Sequence, residues 1–382
     1  MSRRRKSERR RVLHVLTLGG EDGVYGGPVR VAKETCGELG RRGWDPHIFS
    51  GILAPSSSSS RKSSSQTLVI VKPKVRSLPF SSLWNYKIPF LLWREIRQSD
   101  IVHIHFAREL IPLAAAFLCI IARKPFVTQT HGMVIFDNRR SILVVDRVLT
   151  RVVLNHSSTN FVLTQHEWDA MKPLNLSCKF RLVPNGILVP DDFQNGSKRS
   201  RNKIVFCSRI QSRKRPDRFL DLASYSSANF PELKFELYGP DGGELGNVID
   251  RINMEEELSN TEYLGVLHPE EVTGILAQAH LLILPSENEP WAMIGLEALS
   301  VGTPILVMPS CGISFVVKEK FPQFVARTDD YPGLLHAFIK FQSQPFASES
   351  PTSIQSFCRS KFSISNVALE IEAAYLEVIP GE

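Results

Sequence analysis

The stretch Leu281-Leu-Ile-Leu-Pro285-Ser-Glu-Asn-Glu-Pro290-Trp-Ala-Met-Ile-Gly295-Leu-Glu-Ala-Leu-Ser300-Val-Gly-Thr-Pro-Ile305-Leu-Val307 decides the fold. Leu281 to Leu284 is a short apolar run of the kind that forms a buried strand, and Pro304 to Val307 is another. Between them Pro290 suits a first helical position, Gly302 a helix stop and Pro304 the residue just beyond. A helix is therefore predicted from Pro290 to Val301. Strand, helix and strand in such close succession make a βαβ unit, which implies parallel strands.

The alternation continues outward from this unit. In the second half, strands are predicted at Lys203 to Cys207, Lys234 to Tyr238 and Thr261 to Leu264. In the first half they fall at Val12 to Leu18, His47 to Ser50, Leu68 to Val71, Ile101 to Phe106, Phe126 to Thr130, Asn160 to Thr164 and Phe180 to Val183. Two doubly wound α/β sheets follow, one in a domain over 12–189 and one over 203–362. The polar stretch between them lacks apolar periodicity, and 190–202 is expected as a linker. In 363–382, Val367, Leu369, Ile371, Ala374 and Leu376 recur at helical spacing, far from any strand, so a helix packing across the domains is expected.

The 382 residues are 43% hydrophobic and 22% charged, which suits two domains with cores and excludes wholesale disorder. Of the net +7, residues 1–11 carry +6 in Arg3, Arg4, Arg5, Lys6, Arg9, Arg10 and Arg11 against Glu8, which leaves +1 for everything else. The basic balance belongs to a tail and implies no nucleic-acid-binding face. That tail reads as a solvated, disordered terminus, and its charges also suit anionic lipid. Val12 to Leu18 is too short and too glycine-flanked for a secretory signal. Leu110 to Ala122 falls short of the roughly 20 residues a membrane span needs, so a buried helix is expected. Six scattered cysteines without a C-x-x-C pair fit a reducing cytoplasm.

Two further stretches stand apart. Pro55 to Ser65 is serine-rich and cannot build a core, so a flexible loop is expected. Ser77 to Arg94 is rich in aromatics and flanked by Lys72, Lys74, Arg76 and Arg97. That mixture suits peripheral membrane contact, and a helix partly buried on the sheet accounts for the same residues more simply.

Several constellations carry chemistry. The loop Gly19 to Gly27 follows the first strand, and Gly26, Gly27 and Pro28 lead into an amphipathic stretch, where free amides at a helix start suit a phosphate. A plain flexible turn would read the same way. Neither G-x-G-x-x-G nor G-x-x-x-x-G-K-[ST] fits, which weakens dehydrogenase and P-loop readings. Arg209 and Lys214 fall where a strand gives way to a helix, at the sheet edge where such folds bind ligands. Two cations there suit a diphosphate, and on spacing alone also a solvated cluster. Glu289 lies at the mouth of the predicted helix and Glu297 two turns further in, about 12 Å away along its axis. That exceeds the roughly 5–9.5 Å of paired glycosidase carboxylates and suits gripping two parts of one long ligand. His103 and His105 share a strand face and could join His131 at a metal, but no carboxylate or cysteine pattern completes the set. No Asp-x-Asp occurs either, so neither a metal nor a cofactor is expected.

Taken together, Glu289-x7-Glu297 within Glu-Pro-Trp-x5-Glu-Ala-Leu-Ser-x-Gly-Thr-Pro, Arg209-x4-Lys214, Pro184-Asn-Gly-Ile187, Thr130-His-Gly132 and Gly26-Gly27 resemble retaining glycosyltransferase family 4. The resemblance covers roughly residues 12 to 380, in the family's order. It implies the GT-B fold, two Rossmann-like domains facing across a cleft, with a nucleotide-diphospho-sugar donor held mainly by the second domain and a glycan or lipid-linked acceptor by the first. It also implies that Arg209 and Lys214 bind the donor diphosphate and stabilise the leaving group, that Glu297 contacts the ribose and that Glu289 reaches the sugar. His131 would lie by the reacting face, Gly26 and Gly27 would admit phosphate and acceptor, and Asn185 would border the cleft. UDP-sugar is the first donor expectation and GDP-mannose the second, with front-face transfer in glycoconjugate or polysaccharide biosynthesis. The family often has Gly before the Arg and Phe-Gly after the first Glu, where this chain has Ser208, Trp291 and Ala292. The alternatives are a nucleotide-sugar epimerase on the same fold and a catalytically silent nucleotide-sugar-binding partner subunit.

Overall fold

The structure is a computed structural model that describes residues 9–19, 27–52, 65–73, 83–134, 139–190, 199–343 and 350–379. Arg3 to Lys6 of the basic tail, Gly26, Pro55 to Ser64, Ser77 to Ser82 and 191–198 of the expected linker lie outside the described residues. The chain divides into two compact units, one running up to Gly186 and resuming at Ile364, the other spanning Ile187–Ser363.

The first unit is built on strands β1 (Arg11–Leu18), β2 (Asp45–Ile52) and β3 (Gln66–Ile70), then the two-residue antiparallel pair β4 (Lys72–Pro73) and β5 (Leu83–Trp84). β6 (Ile101–His105), β7 (Phe126–Gln129), β8 (Thr159–Val162) and β9 (Phe180–Leu182) follow. Seven of these form one parallel sheet in the order β3-β2-β1-β6-β7-β8-β9. Alternate side chains of each strand serve opposite faces. Leu13, Val15, Val102 and Ile104 pack with helices Ile88–Gln98 and Leu110–Ala122. Val12, Ile101, Val127 and Phe161 pack with Val367, Ile371, Ala374 and Tyr375 of the terminal helix Ile364–Val378. That helix belongs to the first unit's core.

Leu110–Ala122 is the buried helix its composition predicts, and no described helix is long and apolar enough to cross a membrane. Helix Ile88–Gln98 is the partly buried helix expected in this neighbourhood. It buries the aliphatic Ile88, Leu92 and Ile96, while Tyr86, Phe90 and Trp93 face outward, Phe90 at 72% exposure.

The second unit carries β10 (Lys203–Cys207), β11 (Lys234–Tyr238), β12 (Thr261–Tyr263), β13 (Leu281–Leu284) and β14 (Ile305–Val307). They form a parallel sheet in the order β12-β11-β10-β13-β14, with every boundary within a residue of expectation. The helix after β13 differs. It spans Met293–Ser300 rather than Pro290 to Val301. The Gly312 N–H donates to the Glu289 carbonyl at 2.8 Å, and Gly312 sits so close to Pro290 that a Cβ there would lie 1.8 Å from its carbonyl oxygen. This contact from a distant loop holds Glu289 to Trp291 off the helix axis, and Ala292 turns into the helix at a left-handed φ of 60°. The 12 Å axial spacing of Glu289 and Glu297 therefore does not apply. Gly302, at φ 74°, does end the helix.

Candidate functional site

In the second unit the strand order reverses between β10 and β13, the switch point at which open parallel sheets hold ligands. Both flanking strands deliver charged side chains there. After β10, Arg209 leads to the 3-10 turn Ser212–Lys214, and Arg215 at φ 52° redirects the chain into helix Pro216–Asn229. After β13 comes Glu289. Lys214 Nζ donates to Glu289 Oε2 at 2.5 Å, with side-chain exposures of 15% and 11%. Glu297, buried on the helix Met293–Ser300, lies near Cys207 at the end of β10, whose thiol burial and that carboxylate push up to about 12. The four second-unit residues predicted from sequence thus converge on one sheet edge.

The supports of this edge include residues the motif reading passed over. Gly239, at φ 143°, lies so near the Ser208 carbonyl that a Cβ would stand 1.9 Å away, and a Cβ on Gly242 would stand 2.8 Å from Arg209 Cγ. The loop after β11 can therefore seat against Arg209 only with glycine at both places. Glu287 accepts from Arg215 and, at 2.6 Å, from Arg218. Arg215 and Glu287 line a depression of about 560 Å³ together with Arg213, Asn247, Arg251 and Asn288. The Gly239-Pro-Asp-Gly242 spacing just after a strand was the available signal.

In the first unit Gly27 opens helix Gly27–Arg41. His131 and Gly132 follow β7 at φ 50° and 72°, a left-handed pair that turns the chain sharply at the sheet edge. The buried Glu167 carboxylate pins this turn. It accepts from Thr130 Oγ1 at 2.5 Å, from the Gly132 N–H at 2.6 Å and from the Leu163 N–H at 2.7 Å. Burial raises its pKa, while those bonds favour the charged form. Glu167 was missed, although Thr164-x-x-Glu167 has capping-box spacing, and Thr164 Oγ1 does accept from the Glu167 N–H.

His131 Nδ1 lies 3.3 Å from Asn185 Oδ1, and its Nε2 lies 2.8 Å from His105 Nδ1. Both ring nitrogens are thus engaged. His14, which the sequence reading overlooked, pairs in register with His103 across β1 and β6 and reaches His105. A metal joining His103, His105 and His131 finds no support. His105 and His131 meet nitrogen to nitrogen, and the stacked rings of His103 and His105 lie 2° from parallel with centroids 4.7 Å apart. Their in-plane lone pairs do not converge.

The family descriptions Glycosyltransferase Family 4 and Glycosyl transferases group 1 match residues 25–188 and 190–355. Similar curated proteins include the D-inositol 3-phosphate glycosyltransferase of Corynebacterium jeikeium, 29% identical over 160 residues, 37% of this chain and 38% of that protein. Another is the UDP-Gal:alpha-D-GlcNAc-diphosphoundecaprenol alpha-1,3-galactosyltransferase of Escherichia coli, 24% identical over 265 residues, 63% of this chain and 66% of that one. The matched stretches span about two fifths to two thirds of these relatives' lengths. Among solved structures, Anabaena Alr3699/HepE in complex with UDP aligns with a TM-score of 0.75 at 14% identity, over 96% of this chain and 100% of that one. A glycosyltransferase from Rickettsia africae aligns at 0.73 and 13%, over 98% and 100%. These likenesses show the fold. With two family descriptions matching in chain order the same halves that the motifs and the two parallel sheets mark out, the chain belongs to glycosyltransferase family 4, with the GT-B fold of two Rossmann-like domains.

Proposed function

We propose that this chain is a retaining glycosyltransferase that moves a sugar from a nucleotide-diphospho-sugar to a hydroxyl of a glycan or lipid-linked acceptor. The observation that carries the reading is the pair of charges brought to the second unit's switch point by its two flanking strands, Lys214 and Glu289 in contact, with Arg209 on the same edge. In the proposed step the bond between the sugar C1 and the phosphate oxygen breaks, and its electron pair leaves with the diphosphate. Arg209 and Lys214 neutralise that developing charge. The acceptor oxygen bonds to C1 on the same face, and its proton passes to the departing phosphate. Glu289 grips the sugar, Glu297 the ribose, and His131, Asn185, Gly26 and Gly27 serve the other side of the reaction. No metal takes part in this reading.

UDP-sugar is the preferred donor and GDP-mannose the second. The names of the Escherichia coli relative and of the Anabaena complex, which mention UDP-Gal and UDP for those proteins, support that order. Calorimetric titration with UDP, GDP, ADP and CDP, with and without magnesium, tests it. Selective, metal-independent binding of one nucleotide, lost in Lys214→Ala, is expected. Binding of none would overturn the donor site.

The proposed location is the cytoplasm, with peripheral contact to the cytoplasmic membrane face as a further proposal. Exposed Tyr86, Phe90 and Trp93 stand beside Lys87, Arg94 and Arg97, an aromatic and basic mixture suited to an anionic lipid surface. Flotation with phosphatidylglycerol vesicles in low salt should recover the wild type, and Phe90→Ser/Trp93→Ser should stay in the load.

A further inference from the structure

The first unit buries four histidines on one sheet face, and their contacts run in a single line. His103 Nδ1 lies 2.6 Å from the Tyr375 hydroxyl, which lies 3.5 Å from His14 Nε2. His14 Nδ1 lies 3.1 Å from His105 Nε2, and His105 Nδ1 lies 2.8 Å from His131 Nε2. His131 Nδ1 ends the line on the Asn185 amide oxygen at 3.3 Å. The His105 and His131 rings lie within 7° of parallel with centroids 5.1 Å apart, which places their 2.8 Å contact nearly in the ring planes, where a donor and a lone pair meet best.

Each neutral imidazole has one N–H and one lone pair, so one link dictates the next. With the Asn185 amide oxygen turned toward it, an atom that can only accept, His131 carries its proton on Nδ1. Its Nε2 must then accept from His105 Nδ1–H, His105 Nε2 from His14 Nδ1–H, and His14 Nε2 from the Tyr375 O–H. The Tyr375 oxygen in turn accepts from His103 Nδ1–H. His103 Nε2, at the far end, is buried beside the Gln129 side-chain amide, whose N–H can meet the lone pair that this direction leaves there. Burial keeps the rings neutral, holding His14 down to about 3 and His131 to about 4.

We propose that His103, Tyr375, His14 and His105 form a directional hydrogen-bond relay that ends on His131, holds all four imidazoles in the Nδ1–H tautomer and orients the His131 ring. A free neutral histidine side chain favours the Nε2–H tautomer, so a uniform Nδ1–H set is a state the relay must impose. His14, His105 and Tyr375 are thereby positioning residues. That role rests on the proposed function, in which His131 faces the transferred sugar, whereas the relay itself does not.

The relay is read by two-bond proton–nitrogen correlation spectra of the full chain labelled with nitrogen-15 histidine, each ring assigned by single substitution. The wild type should show the Nδ1–H pattern at His14, His103, His105 and His131. Asn185→Leu removes the terminal acceptor and should shift His14, which does not touch Asn185, toward Nε2–H, while Asn185→Asp keeps the wild-type pattern. A mixture of tautomers in the wild type, or a His14 signal indifferent to Asn185→Leu in a folded variant, overturns the relay. So does stoichiometric zinc binding that perturbs His14, His103 and His105, whose ligand atoms lie within 4.8 Å of one another. In a transfer assay His105→Leu should lower kcat about tenfold or more with the donor KM unchanged. His105→Asn, whose amide nitrogen stands in for Nδ1–H, should recover it. A wild type that transfers nothing defeats the proposed function and leaves the spectra standing. A wild type that transfers, with His105→Leu equally active, defeats the positioning role alone.

Discussion

The two sheets have the same parallel construction and equip their carboxyl edges in opposite ways. At the second unit's edge the groups stand in ion pairs: Lys214 against Glu289, Arg215 and Arg218 against Glu287. In the first unit the line that ends at His131 holds neutral imidazoles, a phenol and an amide, all buried. The contrast teaches that topology decides where a site lies, and the side chains decide what it can hold. A diphosphate asks for fixed cations. A reacting sugar asks for shaped, uncharged hydrogen-bonding walls that do not compete for the leaving charge.

The largest test of this contrast removes a charge. Lys214→Ala should lower transfer by roughly a hundredfold or more, because it takes away transition-state charge stabilisation and leaves Glu289 partly buried without its partner. Retained activity with an intact circular dichroism spectrum would break the assignment of the second edge.

Acid is the next probe and should strike the first unit harder, because burial lowers four histidines there and, among those described in the second unit, only His280. In the unfolded chain histidines protonate near 6.5, while the folded unit resists protonation down to about 3 at His14 and about 4 at His131. The unfolded state then binds more protons across that window. Stability is full above pH 6.5 and falls as pH drops toward 4, by up to about 1.4 kcal/mol per pH unit for each such histidine. Urea melts at pH 7.5, 6.5 and 5.5 can follow the units apart, since Trp291 is the second unit's only tryptophan. Equal pH dependence in both units would erase the contrast.

Two smaller effects sharpen it. Glu167→Gln would set an amide N–H against a backbone N–H that the carboxylate now accepts, and should cost about 1–3 kcal/mol in the first unit. A thermal midpoint within error of wild type would show that the His131 turn holds without it. Ala292→Gly should stabilise the second unit by about 1 kcal/mol, because the left-handed φ of 60° strains alanine and not glycine. Destabilisation on denaturant titration would show that the methyl group's packing outweighs that strain.

Legibility followed the range of the interactions. The βαβ rhythm, the buried Leu110–Ala122 and the second sheet's strands were readable because each depends on neighbours a few residues away. Arg209, Lys214, Glu289 and Glu297 were readable as a motif, since strand ends place them on one edge. The helix start was misread because Pro290 is a good first residue locally, and a contact from Gly312 overrides it. Ile88–Gln98 was readable as a partly buried helix, but which of its residues face outward was not, because hydrophobicity carries no direction until the helix phase is known.

By itself, then, the amino-acid sequence determined the α/β class, the two parallel sheets and the charged edge of the second. Local periodicity, helix punctuation and strand ends suffice for these. Only the tertiary structure decided the histidine line. His14 and His105 are 91 residues apart, and Tyr375 comes from 272 residues beyond His103. Adjacent parallel strands and one terminal helix bring them within hydrogen-bond reach. No spacing along the chain encodes which donor faces which lone pair.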